Sequence, residues 1–202
     1  MAQPKSPKKV GILIFDEVEV LDFCGPFEVF SVAGRRDGNE LFDVYTIAEE
    51  DGPVSARNHL SVNPRYTIAN CPQPEILVIP GGYGTRTEMH NENLVGWIGE
   101  VAAGTELTLS VCTGSLLLAK ADLLDGLRAT THFAAIDLLK ETAPKTEVIR
   151  ERFIDNGAII TSAGISAGID MSLHVVAKIH GFETARETAE YMEYDWKEAS
   201  TH

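Results

Sequence analysis

Continuous apolar runs alternate with amphipathic stretches along this chain. Val10 to Phe15 reads VGILIF. A run with no polar face predicts a strand buried on both sides, as in a parallel sheet. Leu21 to Ala33 places Leu21, Phe23, Phe27, Val29, Phe30 and Val32 in a helix-compatible pattern, and Gly34 suits its end. Phe42 to Ala48 (FDVYTIA) predicts the next strand. Pro53 to Ile68, where polar and apolar residues mix with Asn and Pro, predicts a β excursion. Ile76 to Ile79 (ILVI) is a further buried strand, stopped by Pro80-Gly81-Gly82, and Asn91 to Ala103 has a helical pattern. Leu107 to Val111 (LTLSV) predicts a strand that runs into Cys112-Thr113-Gly114-Ser115 and the helical run Leu116 to Leu124. Arg128 to Thr131 fits a short strand and Phe133 to Glu141 a helix. Phe153 to Ile160 fits a hairpin turning at Asp155-Asn156-Gly157. From Ala167 the pattern gives two helices broken at Gly181. Such alternation predicts an α/β fold: one domain with a mostly parallel sheet and helices on both faces. The expected organisation is a flexible tail over 1–8, the domain over 9–197 and a short tail over 198–202.

Composition narrows the function. The chain has 202 residues, 44% hydrophobic and 23% charged, enough for one well-buried domain. Its formal net charge of -13 opposes binding to a phosphate backbone, so no nucleic-acid partner is expected. The one basic cluster, Lys5 to Lys9, reads as a solvated tail. No apolar run reaches the roughly 20 residues of a membrane span, and the opening MAQPKSPKK has no signal-peptide pattern. A cytoplasmic protein with no membrane partner is the expectation. Three cysteines without a CxxC argue against a disulfide framework or a structural zinc site. His174 and His180 lack an acidic partner at metal-ligand spacing, so no metal is expected.

Four segments can carry chemistry. In LTLSVCTGSLLL an apolar strand ends at Cys112 and an apolar helix follows. That layout suits a nucleophile elbow, although Ser110 stands where the GxSxG pattern has its first glycine. A thiol at a helix N-terminus is favoured as thiolate, which predicts a lowered pKa for Cys112. The same segment also fits an ordinary buried thiol. In ILVIPGGYG a strand ends in Gly81-Gly82, whose N–H groups can form an oxyanion hole with that of Thr113. A plain turn fits this loop as well. A dinucleotide-binding loop fits less well, because Thr87 stands where GxGxxG needs its third glycine. Asp22, ahead of an apolar helix, is either an N-cap or an acid near the thiol, with Glu17 and Glu19 as competitors. A carboxyl group beside a thiolate has a raised pKa and can serve as acid and then base. His132 is the histidine best placed to pair with Cys112, while Cys24 and Cys71 read as structural.

Taken in order, VGILIFDEVEVLDFCGPFEVF, ILVIPGGYG, LTLSVCTGSLLLAKADLLDGLRATTH and SAGISAGIDMSL resemble the ThiJ/PfpI superfamily, with its class I glutamine amidotransferase-like, flavodoxin-like fold. The resemblance implies Cys112 as nucleophile and Asp22 as its acidic partner. It implies oxyanion donors at Gly82 and Thr113, with Gly81 beside them. The Leu21-Asp22-Phe23-Cys24-Gly25-Pro26 context, SVCTGS and GISAGID are similar to the isonitrile hydratase branch. PfpI-type peptidases place His directly after the cysteine, where this chain has Thr113, and the deglycase and glyoxalase branch uses Glu as the acid. One departure is Ser162-Ala163-Gly164, where the hydratases carry a Gly-rich run. The resemblance implies hydration of an isonitrile to an N-substituted formamide, without cofactor, by a homodimer acting on a small molecule. His132 and Ile165 are expected as pocket residues. The alternatives are glyoxalase or amidase chemistry on Cys112, or a redox-sensing role without turnover.

Overall fold

The computed structural model describes residues 6–35 and 38–197. Among the described residues, eleven strands and seven α-helices run in the order β1 (Lys8–Leu13), α1 (Val20–Val32), β2 (Phe42–Ala48), β3 (Val54–Ala56), β4 (Leu60–Val62), β5 (Tyr66–Thr67), β6 (Ile76–Ile79), α2 (Thr85–Glu88), α3 (Glu92–Ala102), β7 (Leu107–Val111), α4 (Gly114–Lys120), β8 (Arg128–Ala129), α5 (Ile136–Thr142), β9 (Glu147–Val148), β10 (Phe153–Asp155), β11 (Ile159–Ser162), α6 (Ala167–His180) and α7 (Phe182–Tyr191). The main sheet has seven strands in the order β10-β11-β7-β6-β1-β2-β5. Every pair in it is parallel except the β10–β11 hairpin. Helices α1, α6 and α7 pack on one another as one group, and α3, α4 and α5 as another. The two groups flank a sheet whose central strands β6 and β7 are wholly buried. This is the α/β architecture the apolar runs predict.

The boundaries differ where tertiary contacts override the local pattern. β1 opens at Lys8, the last residue of the expected tail, because Lys8 pairs with Phe42 and its ammonium reaches Glu106 at 2.7 Å. The strand stops at Leu13 instead of Phe15. Residues 1–5 of that tail, and the whole expected tail 198–202, lie outside the described residues. The helix after Cys112 begins two residues early, at Gly114, and ends at Lys120 instead of Leu124. Turns follow, with Asp122 in the left-handed region at φ 57°. Arg128–Ala129 pairs with β9 outside the main sheet, so the strand expected over 128–131 is shorter and peripheral. Phe133–Ala135 forms a 3-10 turn before α5, and the β excursion resolves into β3, β4 and β5. α2 follows the glycine loop unannounced by any periodicity.

The sheet order fixes where a ligand sits. From β1 the chain moves to β2 on one side, and β6 then pairs on the other. Strand order therefore reverses at β1, and ligands of open α/β sheets bind at the carboxyl ends of strands beside such a reversal. Asp22, Gly81-Gly82 and Cys112 follow β1, β6 and β7, so all three meet at this edge. Among the described residues, no helix is long and apolar enough to cross a membrane, and no group of three or more His, Cys, Asp or Glu is placed to hold a metal ion.

Candidate active site

β7 delivers Cys112 in a left-handed conformation, φ 56°. A non-glycine residue held there costs about 1–3 kcal/mol and persists only where neighbours enforce it. Here the neighbours are backbone and hydroxyl groups. The Cys112 N–H donates to the carbonyls of Ser162 and Ala163 at 3.1 and 3.2 Å. Its carbonyl accepts from the Thr131 hydroxyl at 2.8 Å and the Ser115 hydroxyl at 3.2 Å. Gly114 makes the turn sterically feasible, since a Cβ there would drive into the Ile79 carbonyl oxygen. The strand–turn–helix elbow is thus wedged between the ends of β6 and β11.

Asp22, in the first turn of α1, is fully buried at 0% exposure. Its Oδ2 accepts the Gly81 N–H at 3.1 Å. Its Oδ1 has no hydrogen-bond partner among the described residues, and the carboxyl lies close enough to the Cys112 thiol for each side chain to shift the other's titration. Burial raises the Asp22 pKa from 3.8 to about 7, against the pull of the thiol and the Gly81 N–H. Cys112, 6% exposed, is pushed up to about 12, first by burial and then by the Asp22 charge. The Thr113 N–H and hydroxyl oppose that rise without cancelling it. A lowered thiol pKa, expected from the helix N-terminus, is therefore not what the structure shows. A seven-residue helix cannot outweigh burial against a carboxylate. The two groups titrate as a coupled pair, and once the first proton leaves the second is strongly retained.

The competing acids are elsewhere. Glu17 forms an ion pair with Arg57, which the β3–β4 hairpin brings in. The Glu19 N–H donates to the Gly81 carbonyl at 2.9 Å, stitching the start of α1 to the glycine loop. A bridge between Val18 and Gly82 completes that seam. Gly82 has φ 126°, and a Cβ on it would strike the backbone at Glu17 and Glu19. No residue but glycine fits there.

The three expected oxyanion donors converge here, but none is idle. The Gly81 N–H is held by Asp22, and that of Gly82 donates to Thr113 Oγ1 at 3.0 Å. The Thr113 N–H favours the charged form of the Cys112 thiol. A ready-made hole from Gly82 and Thr113 is thus corrected to one whose Gly82 donor is taken by the Thr113 hydroxyl. The residue that completes this latch is Thr85, fully buried, whose hydroxyl lies 2.8 Å from the Gly82 carbonyl and 3.0 Å from Thr113 Oγ1. Arg86 adds a guanidinium bond to the Gly82 carbonyl at 3.1 Å. Sequence reasoning missed both; their one signal is that they follow the glycine loop.

His132 does not hydrogen-bond Cys112. Its Nδ1 accepts the Ala134 N–H at 3.2 Å, capping the 3-10 turn, and its ring packs against Phe133 with centroids 4.4 Å apart. Ile165 has φ 49°, a strained setting for a β-branched residue. Both line a cleft of about 680 Å³ together with Thr131, Phe133, Arg150 and Arg152.

Residues 8–178 match the model of the DJ-1/PfpI family. The chain belongs to that family. Among its relatives, the isonitrile hydratase of Pseudomonas putida is 34% identical over 92% of this chain and 78% of its own length. The transcriptional regulator CdhR of Pseudomonas aeruginosa is 33% identical over 88% of this chain, which spans about half (52%) of the regulator. A ThiJ/PfpI family protein from Pseudomonas syringae superposes with a TM-score of 0.86 at 27% identity, over 97% of this chain and 78% of that one. Within the DJ-1/PfpI fold, the thiol–carboxyl pair, the glycine loop and the cleft occupy one sheet edge.

Proposed function

We propose that this protein hydrates isonitriles to N-substituted formamides, with Cys112 as nucleophile and Asp22 as the proton carrier. The observation that carries the reading is the buried Asp22–Cys112 pair, in which Asp22 is poised near neutrality beside a thiol that keeps its proton. The similarity to the Pseudomonas putida isonitrile hydratase supports it. The reactive form has the thiol proton on Asp22. The Cys112 sulfur then bonds to the terminal isonitrile carbon, whose lone pair takes the Asp22 proton, giving a thioimidate and an Asp22 carboxylate. That carboxylate takes a proton from water as the hydroxide adds to the same carbon. The second water proton ends on nitrogen, the carbon–sulfur bond breaks, and the formamide leaves with the pair restored. No step calls for a cofactor or a metal. The burial that raises Asp22 supplies a general acid at neutral pH, where an exposed aspartate would be ionised.

Incubation with cyclohexyl isonitrile, followed by chromatographic detection of the formamide, tests the reading. Turnover by wild type and none by Cys112→Ala is the expected result. Absence of turnover by wild type, or full turnover by Cys112→Ala, sinks it. Methylglyoxal in the parallel assay separates the glyoxalase alternative. The redox-sensing alternative calls for an exposed, low-pKa thiol, and the 6% exposure and raised pKa of Cys112 count against it. The proposal includes a cytoplasmic homodimer, and light scattering on the purified chain measures the assembly.

A further inference from the structure

The cleft beside Cys112 has a wall chemistry that the hydration reaction itself does not use. Two of its residues, Thr131 and Ala163, are bonded to the Cys112 backbone, through its carbonyl at 2.8 Å and its N–H at 3.2 Å. The cleft therefore borders the Cys112 backbone. Phe133 and Ile165 give it apolar surface, and both stay exposed, Phe133 at 65%. Arg150 lies over the Phe133 ring, 5.9 Å from its centroid.

The charges in this wall are unevenly committed. Arg152 is occupied: its Nε donates to Asp170 at 2.7 Å and its Nη2 to Ser166 at 3.2 Å. Glu151 also lines the cleft, and its backbone is anchored to Thr130 by bonds of 3.1 and 3.4 Å. Arg150 is different. Among the described residues no carboxylate lies within 4.0 Å of it. In a chain of net charge -13, this leaves one arginine of the wall uncompensated in a cleft that borders Cys112. A guanidinium presents a planar fork of donors that matches a carboxylate, and an aromatic face beneath it favours a flat group alongside.

We infer that this cleft holds the substituent of the substrate and selects a flat, apolar group that ends in a carboxylate, with Arg150 as the specificity-determining residue. Phe133 and Ile165 receive the flat group, and the Arg150 fork receives the carboxylate. The substrate class is then an aryl or similar isonitrile bearing an anionic terminus, a refinement that rests on the proposed hydration.

Two assays keep the inference and that reaction apart. Binding of the unreactive products 4-formamidobenzoate and formanilide is measured by protein-observed NMR on wild type, Arg150→Gln and Arg150→Lys. We expect the carboxylate to bind wild type at least tenfold more tightly than formanilide. That ratio should fall toward one in Arg150→Gln and to an intermediate value in Arg150→Lys, which keeps charge without the fork. Arg150 is exposed, so these variants are not expected to disturb folding. Equal binding of the two products, no detectable binding of either, or an unchanged ratio in Arg150→Gln overturns the inference. Turnover of 4-isocyanobenzoate and phenyl isonitrile is then compared on the same proteins. If neither reacts while the binding ratio behaves as expected, the hydration reading fails and the carboxylate-selective cleft stands.

Discussion

Replacing Asp22 by Asn should make the protein more stable as pH rises, while removing its chemistry. Asparagine is close to isosteric, and its carbonyl oxygen can still accept the Gly81 N–H that Oδ2 now accepts at 3.1 Å. What disappears is the cost of ionising a carboxyl group at 0% exposure. In the unfolded chain this group titrates near 3.8, and in the folded chain at about 7. Below the unfolded value both states are protonated and the aspartate costs nothing. Between the two values the unfolded chain ionises and the folded chain does not, so wild-type stability falls as pH rises. Above about 7 both are ionised and the full cost is present. A displacement of about three decades in proton affinity corresponds to roughly 4 kcal/mol at about 1.4 kcal/mol per decade. Part of it is already present at about pH 5, so the change between about pH 5 and about pH 8 is roughly 3 kcal/mol.

The assay is urea unfolding of wild type and Asp22→Asn at those two pH values. The changed contact with the thiol and the housing of the new amide group add an offset that does not depend on pH. The informative quantity is therefore the change in the difference between the two proteins. All other titrating groups are shared, and about pH 8 lies below the region where Cys112 ionises in the folded chain. We expect the stability of Asp22→Asn, relative to wild type, to grow by roughly 3 kcal/mol across the interval. A difference that stays constant or shrinks would show that the carboxyl is not desolvated as argued, and the proton-carrier assignment would lose its basis.

The same pair sets the pH profile of the proposed reaction: kcat/KM should rise through about pH 7, as the doubly protonated pair loses its first proton, and then hold a plateau. Stopped-flow or end-point rates across that range check it, and a fall there contradicts the one-proton reactive form. Thr85→Val removes the hydroxyl that lies 2.8 Å from the Gly82 carbonyl and 3.0 Å from Thr113 Oγ1. It should cost about 1–3 kcal/mol in chemical denaturation and lower kcat more than it changes KM, with Thr85→Ser restoring both. Gly114→Ala forces a methyl group into the Ile79 carbonyl oxygen, where backbone must move. A loss of about 2–3 kcal/mol in urea midpoint measurements is expected, and a wild-type midpoint would mean the elbow is looser than it looks.

The elements legible in the sequence are those with a continuous local signature. VGILIF, ILVI and LTLSV are buried on both faces, as the interior strands of a parallel sheet are. Cys112 was readable as an elbow because strand and helix meet on either side of it. The choice of Asp22 over Glu17 was not readable from spacing, because Arg57 arrives from the β3–β4 hairpin, distant in sequence, to occupy Glu17. Lys8 was hidden for a similar reason: its partners Glu75 and Glu106 lie far along the chain. The thiol pKa went astray because a helix N-terminus is visible in the sequence, whereas the burial that outweighs it is not. The closed oxyanion donor depends on a side-chain rotamer of Thr113 and on Thr85 beneath it, neither of which has a periodicity to read.

The two costs at this site, the strained Cys112 backbone and the desolvated Asp22, act on opposite halves of the proposed reaction. The left-handed φ of 56° lifts the sulfur to the sheet edge beside Asp22. That proximity lets the carboxyl take the thiol proton, so no external base is needed for attack. Once the sulfur is bonded to carbon, no thiol proton faces the carboxylate. That proton is one of the two influences holding the Asp22 pKa down, the Gly81 N–H being the other. Burial, the larger and opposite influence, remains. Asp22 therefore becomes a stronger base at the stage when a proton must be drawn from water, and it does so without any movement of the chain. A surface carboxylate paired with an ordinary low-pKa thiolate would gain nothing from adduct formation. The raised thiol pKa, which looks unhelpful for a nucleophile, belongs to the same burial that makes Asp22 an acid before attack and a base after it.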